Sequence, residues 1–281
     1  MQVAWGAATD AGGRRPANED AVLAQPPVFL VADGMGGHVH GAMASDIVVQ
    51  TFAEFSDTWH PDLEVRGQDV QQAVRTAQQR LRATLADSGE ASVTAGSTAA
   101  GVVLTVHEGA PYWLVFNVGD SRVYRWAHQE LSQVSVDHSV VQEMVEAGML
   151  APAQAGIHPQ RHVITRAVDS GVDTAVDFWL LAAAPDERLL LCSDGLLGEL
   201  SHDQIVSVLH RHDLASDAAE ELLAEAIAGG AADNVSVVVV DLAGTADVAR
   251  TSPRQDEEQV AALATTVPRE HGRSEEGSPW Q

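Results

Sequence analysis

The stretch VFLVADGMGGH, residues 28–38, decides how this chain folds. Its first five residues are all apolar and predict a buried strand. The strand ends at Asp33 in a loop so rich in glycine that a backbone carbonyl or an incoming ligand can approach closely. Such a strand end suits a metal or phosphate site, and an ordinary strand ending in a glycine turn is the alternative. The other acidic strand ends distinguish the two interpretations.

The composition narrows the classes of function. The 281 residues include 16 arginines, no lysine and 40 acidic residues, which gives a net charge of −24. Such an acidic surface repels nucleic acid and anionic lipid, so we expect neither as a partner. A phosphorylated partner would have to be met by a few placed arginines or by metal ions.

The cysteine content and the length of the apolar runs indicate the cellular compartment of the protein. The single cysteine, Cys192, lies in an apolar run and cannot form an internal disulfide, so we expect a buried structural thiol in a reducing compartment. The N-terminus lacks the basic start and long apolar core of a signal peptide, and no stretch approaches about 18 unbroken apolar residues. We therefore expect a cytoplasmic protein without membrane insertion, and separately we expect a monomer.

A predicted hairpin precedes the Asp33 loop. Residues 3–9 are typical of a first strand, and residues 21–24 of a second strand that leads through two prolines into the Asp33 strand. Pairing of the last two strands would bring Glu19 and Asp20 beside Asp33. A polar surface turn is the alternative.

The rest of the pattern predicts helices packed on antiparallel sheets. Apolar residues recur at helical spacing over residues 41–55 and 69–85, and again over 203–209 and 215–228. Strand-like segments joined by short turns demand antiparallel neighbours, which argues against a doubly wound nucleotide-binding fold. These segments are residues 97–106, 112–118, 123–126, 176–181, 188–193 and 235–240. The sequence therefore predicts an α+β fold.

Residues 131–172 are predicted to be mostly irregular, with one helix over residues 139–147. A long irregular stretch in a compact domain is usually a functional loop or lid. His158 and His162 stand four residues apart, which would suit a metal site on a helix. Pro159 lies between them and disfavours that helix, so we expect loop packing for both imidazoles.

The domain organisation follows from where the periodicity stops. No internal repeat or second core is evident, and after Gly244 the chain becomes rich in Ser, Thr, Pro, Glu and Arg. We predict one domain over residues 1–244 and a disordered tail over residues 245–281.

Six acidic residues lie at strand ends beside Gly, Asn or Ser. They are Glu19, Asp20, Asp33, Asp120, Asp194 and Asp233. Carboxylates brought together repel one another and need cations between them to stay ionised. Oxygen ligands without a Cys or His set favour magnesium or manganese over zinc. Two such ions about 3.5–4 Å apart can hold and deprotonate a bridging water and steady an in-line phosphoryl displacement. The pattern therefore predicts hydrolysis of a phosphate ester.

A phosphate ester also needs a clamp that orients its outer oxygens, and the planar fork of arginine suits that task. Arg15 lies four residues before Glu19, near the predicted hairpin, and is the candidate. Arg14 is its solvated neighbour. A surface ion pair is the alternative role for Arg15.

Seven motifs, in order and with regular spacing, resemble one family. They lie at residues 15–20 (RPANED), 31–38 (VADGMGGH), 96–98 (GST), 117–122 (NVGDSR), 137–139 (DHS), 193–195 (SDG) and 233–236 (DNVS). The set resembles the bacterial branch of the metal-dependent type 2C serine/threonine protein phosphatases. The resemblance implies a four-layer α-β-β-α sandwich, two antiparallel sheets flanked by helices. It also implies a site for two or three Mn²⁺ or Mg²⁺ ions at one end of that sandwich.

The resemblance assigns the first two ions to four residues. Asp33 resembles the carboxylate shared between the two ions, and Gly34 supplies a carbonyl. Asp194 and Asp233 resemble ligands of the second ion.

The remaining assignments concern the surroundings of that pair. The resemblance implies that Glu19 and Asp20 lie close to the ions or contact them through water. Asp120 resembles the ligand of a third, weaker ion, with help from Asp194. Arg15 matches the phosphate-binding arginine of the family. Residues 131–172 match a mobile flap that contacts the substrate.

The chain departs from the family pattern at two points. Some non-bacterial relatives have a His two residues after the metal-binding Asp, proposed as the general acid. Met35 occupies that position here, as is usual in the bacterial branch. His38 is close by but not equivalent, so no general acid is assigned. Ala42 stands where bacterial relatives often have Glu, and we expect it to affect a helix start and not the chemistry.

The resemblance implies a phosphatase that acts on phosphoserine and phosphothreonine in proteins and opposes bacterial serine/threonine kinases. A partner-switching phosphatase that dephosphorylates an anti-sigma antagonist is a second hypothesis. A non-catalytic, metal-bound regulator that binds phosphoproteins is a third. The complete acidic set argues against the third, since a lapsed enzyme would be free to lose Asp194 or Asp233.

Overall fold

The computed structural model of the protein describes residues 2–58, 64–90, 92–171, 173–185 and 187–243. The strands are β1 (Gln2–Asp10), β2 (Asp20–Gln25), β3 (Val28–Met35), β4 (Gly96–Ser97), β5 (Ala99–His107), β6 (Ala110–Val118), β7 (Arg122–Ala127), β8 (Glu130–Gln133), β9 (Val168–Asp169), β10 (Asp177–Ala182), β11 (Arg188–Cys192) and β12 (Val235–Ala243). The helices are α1 (His38–Asp57), α2 (Gly67–Asp87), α3 (Val140–Glu146), α4 (Pro152–Ala155), α5 (Asp194–Glu199), α6 (His202–Arg211) and α7 (Ala215–Gly229). The predicted tail, residues 245–281, lies outside the described residues.

Two antiparallel sheets form the centre of the fold. The first has the strand order β1-β12-β11-β7-β8. In the second, β10, β6, β5 and β3 lie side by side, and β2 pairs with the other edge of β3. Where β5 stops, β4 continues the pairing with β3, and β9 pairs with β4. The predicted hairpin of residues 21–24 with the Asp33 strand is therefore confirmed.

Strand β3 is buried on both of its faces. Phe29 and Val31 pack in the layer between the sheets, whereas Leu30 packs beneath the helices of the second sheet. A strand covered on both faces has a continuous apolar sequence instead of an alternating one. Because side chains alternate along a strand, Asp33 lies on the same face as Phe29 and Val31, at the end of the inter-sheet layer.

Helices cover the outer face of each sheet. The pair α1 and α2 packs on the second sheet through residues such as Phe52 and Val74, and the Phe52 ring stacks on Phe116 of β6 at 5.1 Å. Helices α5, α6 and α7 cover the first sheet through residues such as Leu196 and Leu222. The predicted four-layer α-β-β-α sandwich is confirmed.

The structure differs from the sequence expectations in three places. The strand predicted over residues 97–106 is divided at Thr98, whose backbone N–H donates to the Asp33 carbonyl (2.8 Å) and whose hydroxyl accepts from the Asp33 N–H (2.9 Å). Helix α5, which begins at Asp194, was not expected from the sequence. Residues 131–172 contain β8, α4 and β9 besides the expected helix α3.

Two further expectations concern the burial of Cys192 and membrane insertion. Cys192 is free and fully buried, and burial raises the pKa of its thiol to about 12, as a structural thiol requires. Among the described residues, every helix is too short or too polar to cross a bilayer.

Candidate active site

The β2–β3 hairpin places Asp20 directly opposite Asp33. Directly opposed residues in an antiparallel pair share a face, with Cβ atoms about 4.5–5.5 Å apart. Both carboxyls therefore enter the end of the inter-sheet layer. The sequence prediction that the hairpin brings Asp20 beside Asp33 is confirmed.

A hydroxyl group from the opposite sheet binds Asp20. The Ser193 hydroxyl, at the end of β11, donates to Asp20 Oδ2 (2.8 Å) and accepts from the N–H of Ser236 on β12 (3.0 Å). Asp20 is only 8% exposed, and its second oxygen, Oδ1, is buried without a hydrogen-bond partner in the described part of the chain. An unpaired buried carboxylate oxygen is costly, so this atom calls for a donor or a cation.

Glu19 is held beside the hairpin by its backbone. Its carbonyl accepts from the Gly34 N–H (3.1 Å) and from the Ser45 hydroxyl (2.6 Å). A Cβ on Gly34 would stand 2.1 Å from the Gly41 carbonyl oxygen and 2.5 Å from the Glu19 carbonyl oxygen. The close approach that glycine permits at position 34 is therefore made by the protein's own carbonyls.

Asn234 ties Asp233 to the chain that precedes β2. Its side-chain oxygen accepts from the Glu19 N–H (2.9 Å), and its amide donates to the carbonyls of Ala11 (2.9 Å) and Ala17 (3.0 Å). The Asp233 carboxylate is bound by Arg15, with Nη2 2.8 Å from Oδ2. Arg15 therefore lies at the predicted acidic group, where it forms an ion pair with Asp233.

Asp120 and Asp194 complete the acidic group from two other elements. Asp120 lies in the turn between β6 and β7, and the hydroxyl of the adjacent Ser121 shares a 2.7 Å hydrogen bond with that of Thr98. Asp194 is the first residue of α5 and lies close to His162, whose Nδ1 is 3.4 Å from Asp194 Oδ2.

These residues line one cleft of about 730 Å³ at the end of the sandwich. Of the predicted site residues, all except Asp20 contribute to its wall: Arg15, Glu19, Asp33, Gly34, Asp120, Asp194 and Asp233. Asp20 lies behind the wall, against Ser193.

Two further residues of the cleft wall, Arg161 and His162, were not expected from the sequence. Both belong to the predicted flap. We expected His158 and His162 alike to pack in a loop. His158 does make a local contact, accepting from the Gln160 N–H (3.2 Å), but His162 reaches the cleft. No local pattern could have shown this approach, because it depends on where the chain returns after residue 160.

Burial and mutual repulsion disfavour ionisation of the acidic group. Burial raises the pKa of Asp20 to about 6, and burial together with the charge of Asp194 raises the pKa of Asp120 to about 7. Burial and then the charges of the surrounding aspartates raise the pKa of Asp33 well above its usual range. Burial and the charge of Asp233 also raise the pKa of Asp194. The group would need added positive charge to ionise fully at neutral pH.

The donor set fits hard divalent cations. It consists of carboxylate and carbonyl oxygens, the ligands that Mg²⁺ and Mn²⁺ prefer, and it includes the unpaired Asp20 Oδ1. In the described conformation, no three His, Cys, Asp or Glu side chains converge as a ready-made cage. Three of the carboxyls are instead engaged with Arg15, Ser193 and His162. The assignment of individual metal ligands therefore stays a prediction.

The model of one protein family, protein phosphatase 2C, matches residues 16–228. The chain belongs to the protein phosphatase 2C family. Arg15 and Asp233 lie just outside the matched residues, yet the structure joins them at the cleft.

Individual relatives agree with the family. The serine/threonine protein phosphatase PstP of Mycobacterium tuberculosis is 33% identical over 238 residues, which cover 85% of this chain and 45% of the relative. The chain therefore spans less than half the length of that relative. The crystal structure of Mycobacterium tuberculosis PstP/Ppp superposes with a TM-score of 0.78 at 31% identity, covering 87% of this chain and all of that one. A PstP catalytic domain in complex with two manganese ions superposes with a TM-score of 0.72 at 30% identity, covering 86% and 99%.

Proposed function

We propose that this protein is a metal-dependent phosphatase that hydrolyses phosphoserine and phosphothreonine esters in proteins. The observation that carries the proposal is the cleft, in which carboxyls from five separate segments gather beside the Arg15 guanidinium, which binds Asp233. Membership of the protein phosphatase 2C family and the names of its relatives support the same activity.

We assign the cations to the residues that sequence reasoning selected. Asp33 and the Gly34 carbonyl would help to hold two Mn²⁺ or Mg²⁺ ions, and Asp194 and Asp233 would bind the second ion. When bound, such ions supply a Lewis acid that activates the attacking water and neutralises charge on the phosphoryl oxygens. The two manganese ions in the similar PstP catalytic domain support this number.

The remaining acidic residues extend this centre. Asp20 would offer its unpaired Oδ1 directly or through water, and Glu19 stands next to it with its backbone fixed by Gly34 and Ser45. We assign Asp120 to a third, weaker cation, together with Asp194.

Arg15 would orient the phosphate. One of its five N–H donors is used by Asp233, its side chain is 45% exposed, and it lines the cleft. The planar fork can therefore bind two phosphoryl oxygens while the Asp233 contact holds the guanidinium in place. Such a fixed cation resists rotation of the phosphoryl group and favours in-line attack.

We infer further that the substrates are phosphoproteins of bacterial serine/threonine kinases, and that residues 131–172 form the flap that contacts them. The approach of Arg161 and His162 to the cleft supports the flap assignment. We also infer a cytoplasmic setting from the free, buried thiol of Cys192, and a monomeric state that light scattering can test.

The deciding experiment is a Mn²⁺-dependent assay on a phosphothreonine peptide with two charge-matched variants. Asp194→Asn removes a proposed ligand, whereas Asp203→Asn removes a fully exposed carboxylate on α6. We expect turnover by the unmodified protein and by Asp203→Asn, and a large loss for Asp194→Asn. Peptide binding without turnover by the unmodified protein would instead favour a non-catalytic regulator. Undiminished turnover by Asp194→Asn would contradict the metal assignment.

A further inference from the structure

The two ends of the flap region's central excursion meet at His138. The Thr165 N–H donates to the His138 carbonyl (2.8 Å), Ser139 forms an isolated bridge with Ile164, and the Val140 N–H donates to the Val163 carbonyl (2.9 Å). Residues 140–163 therefore leave and return beside His138. The returning end carries Arg161 and His162 to the cleft wall.

His138 also forms two hydrogen bonds with the turn that contains Asp120. The Gly119 N–H donates to His138 Nδ1 (3.1 Å), and the His138 N–H donates to the Gly119 carbonyl (2.9 Å). Gly119 has a φ of 104°, and a Cβ there would approach Thr98 Cγ2 to 2.5 Å. This two-point contact therefore fixes the residue immediately before Asp120 in a conformation that favours glycine.

The second ring nitrogen fixes the orientation of the imidazole. Because Nδ1 accepts a hydrogen bond, we assign the ring hydrogen to Nε2, which faces Asp177 Oδ2 at 3.2 Å. Arg166, which follows Thr165 in the chain, donates to the other oxygen of Asp177 (2.8 Å), and its Nη1 lies 3.2 Å from His138 Nε2. The His138 ring is only 5% exposed, so solvent cannot replace these contacts readily.

The neighbouring residue holds the far end of the same turn. Asp137 receives two nitrogens of Arg122, with distances of 2.8 Å from Nε and 2.6 Å from Nη2. Residues 119 and 122 are thus both bound by residues 137 and 138, which immediately precede the excursion of residues 140–163. Asp120 lies between them.

We propose that His138 is a positioning residue that keeps the Asp120 carboxylate in register with the returning end of residues 140–163. Loosening the His138–Gly119 contact would free Asp120 to leave the cleft while the flap stays in place. The proposal rests on the proposed function in so far as Asp120 binds a cation.

Two substitutions separate the contacts of the two ring nitrogens. In His138→Asn the side-chain oxygen can occupy the place of Nδ1 and still accept from Gly119, but it no longer reaches Asp177. In His138→Gln the amide can reach toward Asp177, but no acceptor remains at the Nδ1 position. His107→Asn is the matched control, because His107 ends β5 at the opposite end of that strand from Thr98 and pairs with Glu64.

The first measurement is hydrogen exchange in the metal-free protein. We expect the Gly119 amide to stay protected in His138→Asn and in His107→Asn, and to exchange at least about tenfold faster in His138→Gln, since it loses its acceptor. The second is calorimetric titration with Mn²⁺. We expect the weakest Mn²⁺ site to lose about 10–100-fold in affinity in His138→Gln and to keep its affinity in His138→Asn.

Equal behaviour of His138→Asn and His138→Gln in both measurements would overturn the proposal, as would lost Gly119 protection in His138→Asn. If His138→Gln does not fold, the exchange of Gly119 in His138→Asn still decides. Failure of the proposed function looks different, because the unmodified protein would then bind no Mn²⁺ or hydrolyse no phosphopeptide. In that case the exchange data alone support or overturn the positioning role.

Discussion

Asp20 and Asp33 are direct partners across the β2–β3 ladder, and both carboxyls face the gap between the two sheets. Like charges placed directly opposite each other in a sheet are destabilising. Here Asp20 is buried and Asp33 is half-buried, and the charges of Asp194, Asp120 and Asp233 add to the repulsion that Asp33 experiences. The fold therefore keeps an arrangement that opposes its own stability, which is what a cation-binding site requires.

The first prediction concerns Asp33→Asn. We expect the metal-free variant to be more stable than the unmodified protein, with a free energy of unfolding about 1 kcal/mol higher, because Asn removes one of two opposed carboxyls. Phosphatase activity with Mn²⁺ should fall at least about 100-fold, since loss of an indirect partner of a metal alone costs about 10–100-fold. Urea unfolding with a chelator and a phosphopeptide assay test both parts. A variant that is less stable without metal would contradict the repulsion argument.

The second prediction is a pH dependence of the metal-free protein. Burial raises the pKa of Asp20 from 3.8 to about 6, and burial with the charge of Asp194 raises that of Asp120 from 3.8 to about 7. Between pH 4 and 7 the folded protein therefore holds protons that the unfolded chain has released, so stability falls as pH rises through this window.

Thermal unfolding with a chelator, from pH 4.5 to 7.5, measures this fall. Saturating Mn²⁺ should oppose it, because a cation that binds only the folded protein stabilises the ionised carboxyls. A midpoint that rises steadily with pH in the chelated protein would contradict the pKa argument. The variant Asp203→Asn, whose carboxyl is fully exposed, should follow the unmodified protein throughout.

A third prediction concerns a buried arginine away from the cleft. Arg188 is 7% exposed and binds both oxygens of Asp241, its partner across β11 and β12, at 2.7 and 2.8 Å. It also donates to the carbonyls of Leu209, His212 and Asp213 at the end of α6, where a cation complements the helix dipole.

Arg188→Met should lower the free energy of unfolding by about 3 kcal/mol, since it leaves Asp241 and three carbonyls without their donor. The double variant with Asp241→Leu should recover part of that loss. Urea unfolding measures both, and the turnover of folded Arg188→Met should equal that of the unmodified protein. A loss below about 1 kcal/mol would show that water replaces the guanidinium.

The sequence predicted what local periodicity and turn chemistry control. The apolar run before Asp33 marked a strand that is buried on both faces, and the short loop with two prolines marked the hairpin that brings Asp20 to it. Aspartates beside glycine or asparagine at strand ends predicted the residues of the cleft, and the sandwich brings these particular strand ends to one edge. These features depend on residues close together in the chain.

Contacts between distant segments could not be predicted in the same way. The break at Thr98 follows from hydrogen bonds to Asp33, 65 positions away. The approach of His162 to Asp194 depends on the return of the chain at Ile164, which the alternation of apolar and polar residues does not record. Helix α5 is only six residues long, too short for a 3.6-residue period to become visible.

A fourth prediction tests the contact between the flap region and the cleft. His162→Ala removes the imidazole that approaches Asp194 at 3.4 Å, and we expect KM for a phosphothreonine peptide to rise while that for p-nitrophenyl phosphate changes little. In the proposed role, residues 131–172 hold a peptide substrate, whereas the small substrate has no peptide chain to be held. His158→Ala, a flap substitution outside the cleft wall, is the control. Equal changes for both substrates would place His162 in the chemistry of phosphate transfer instead.

The last prediction separates the two roles open to Arg15. If Arg15 were only a surface ion pair with Asp233, its removal would lower the free energy of unfolding by only about 0–1 kcal/mol, which is the contribution of an exposed pair. If it binds phosphate, Arg15→Ala should lower kcat/KM about 10–150-fold, which corresponds to loss of a charge-assisted hydrogen bond of about 1.5–3 kcal/mol. Arg15→Lys should recover little, since an ammonium group cannot bind two phosphoryl oxygens in the plane of a fork. Arg14→Ala keeps the fork of Arg15 and should keep activity, so equal losses for both arginines would indicate general charge attraction rather than a clamp.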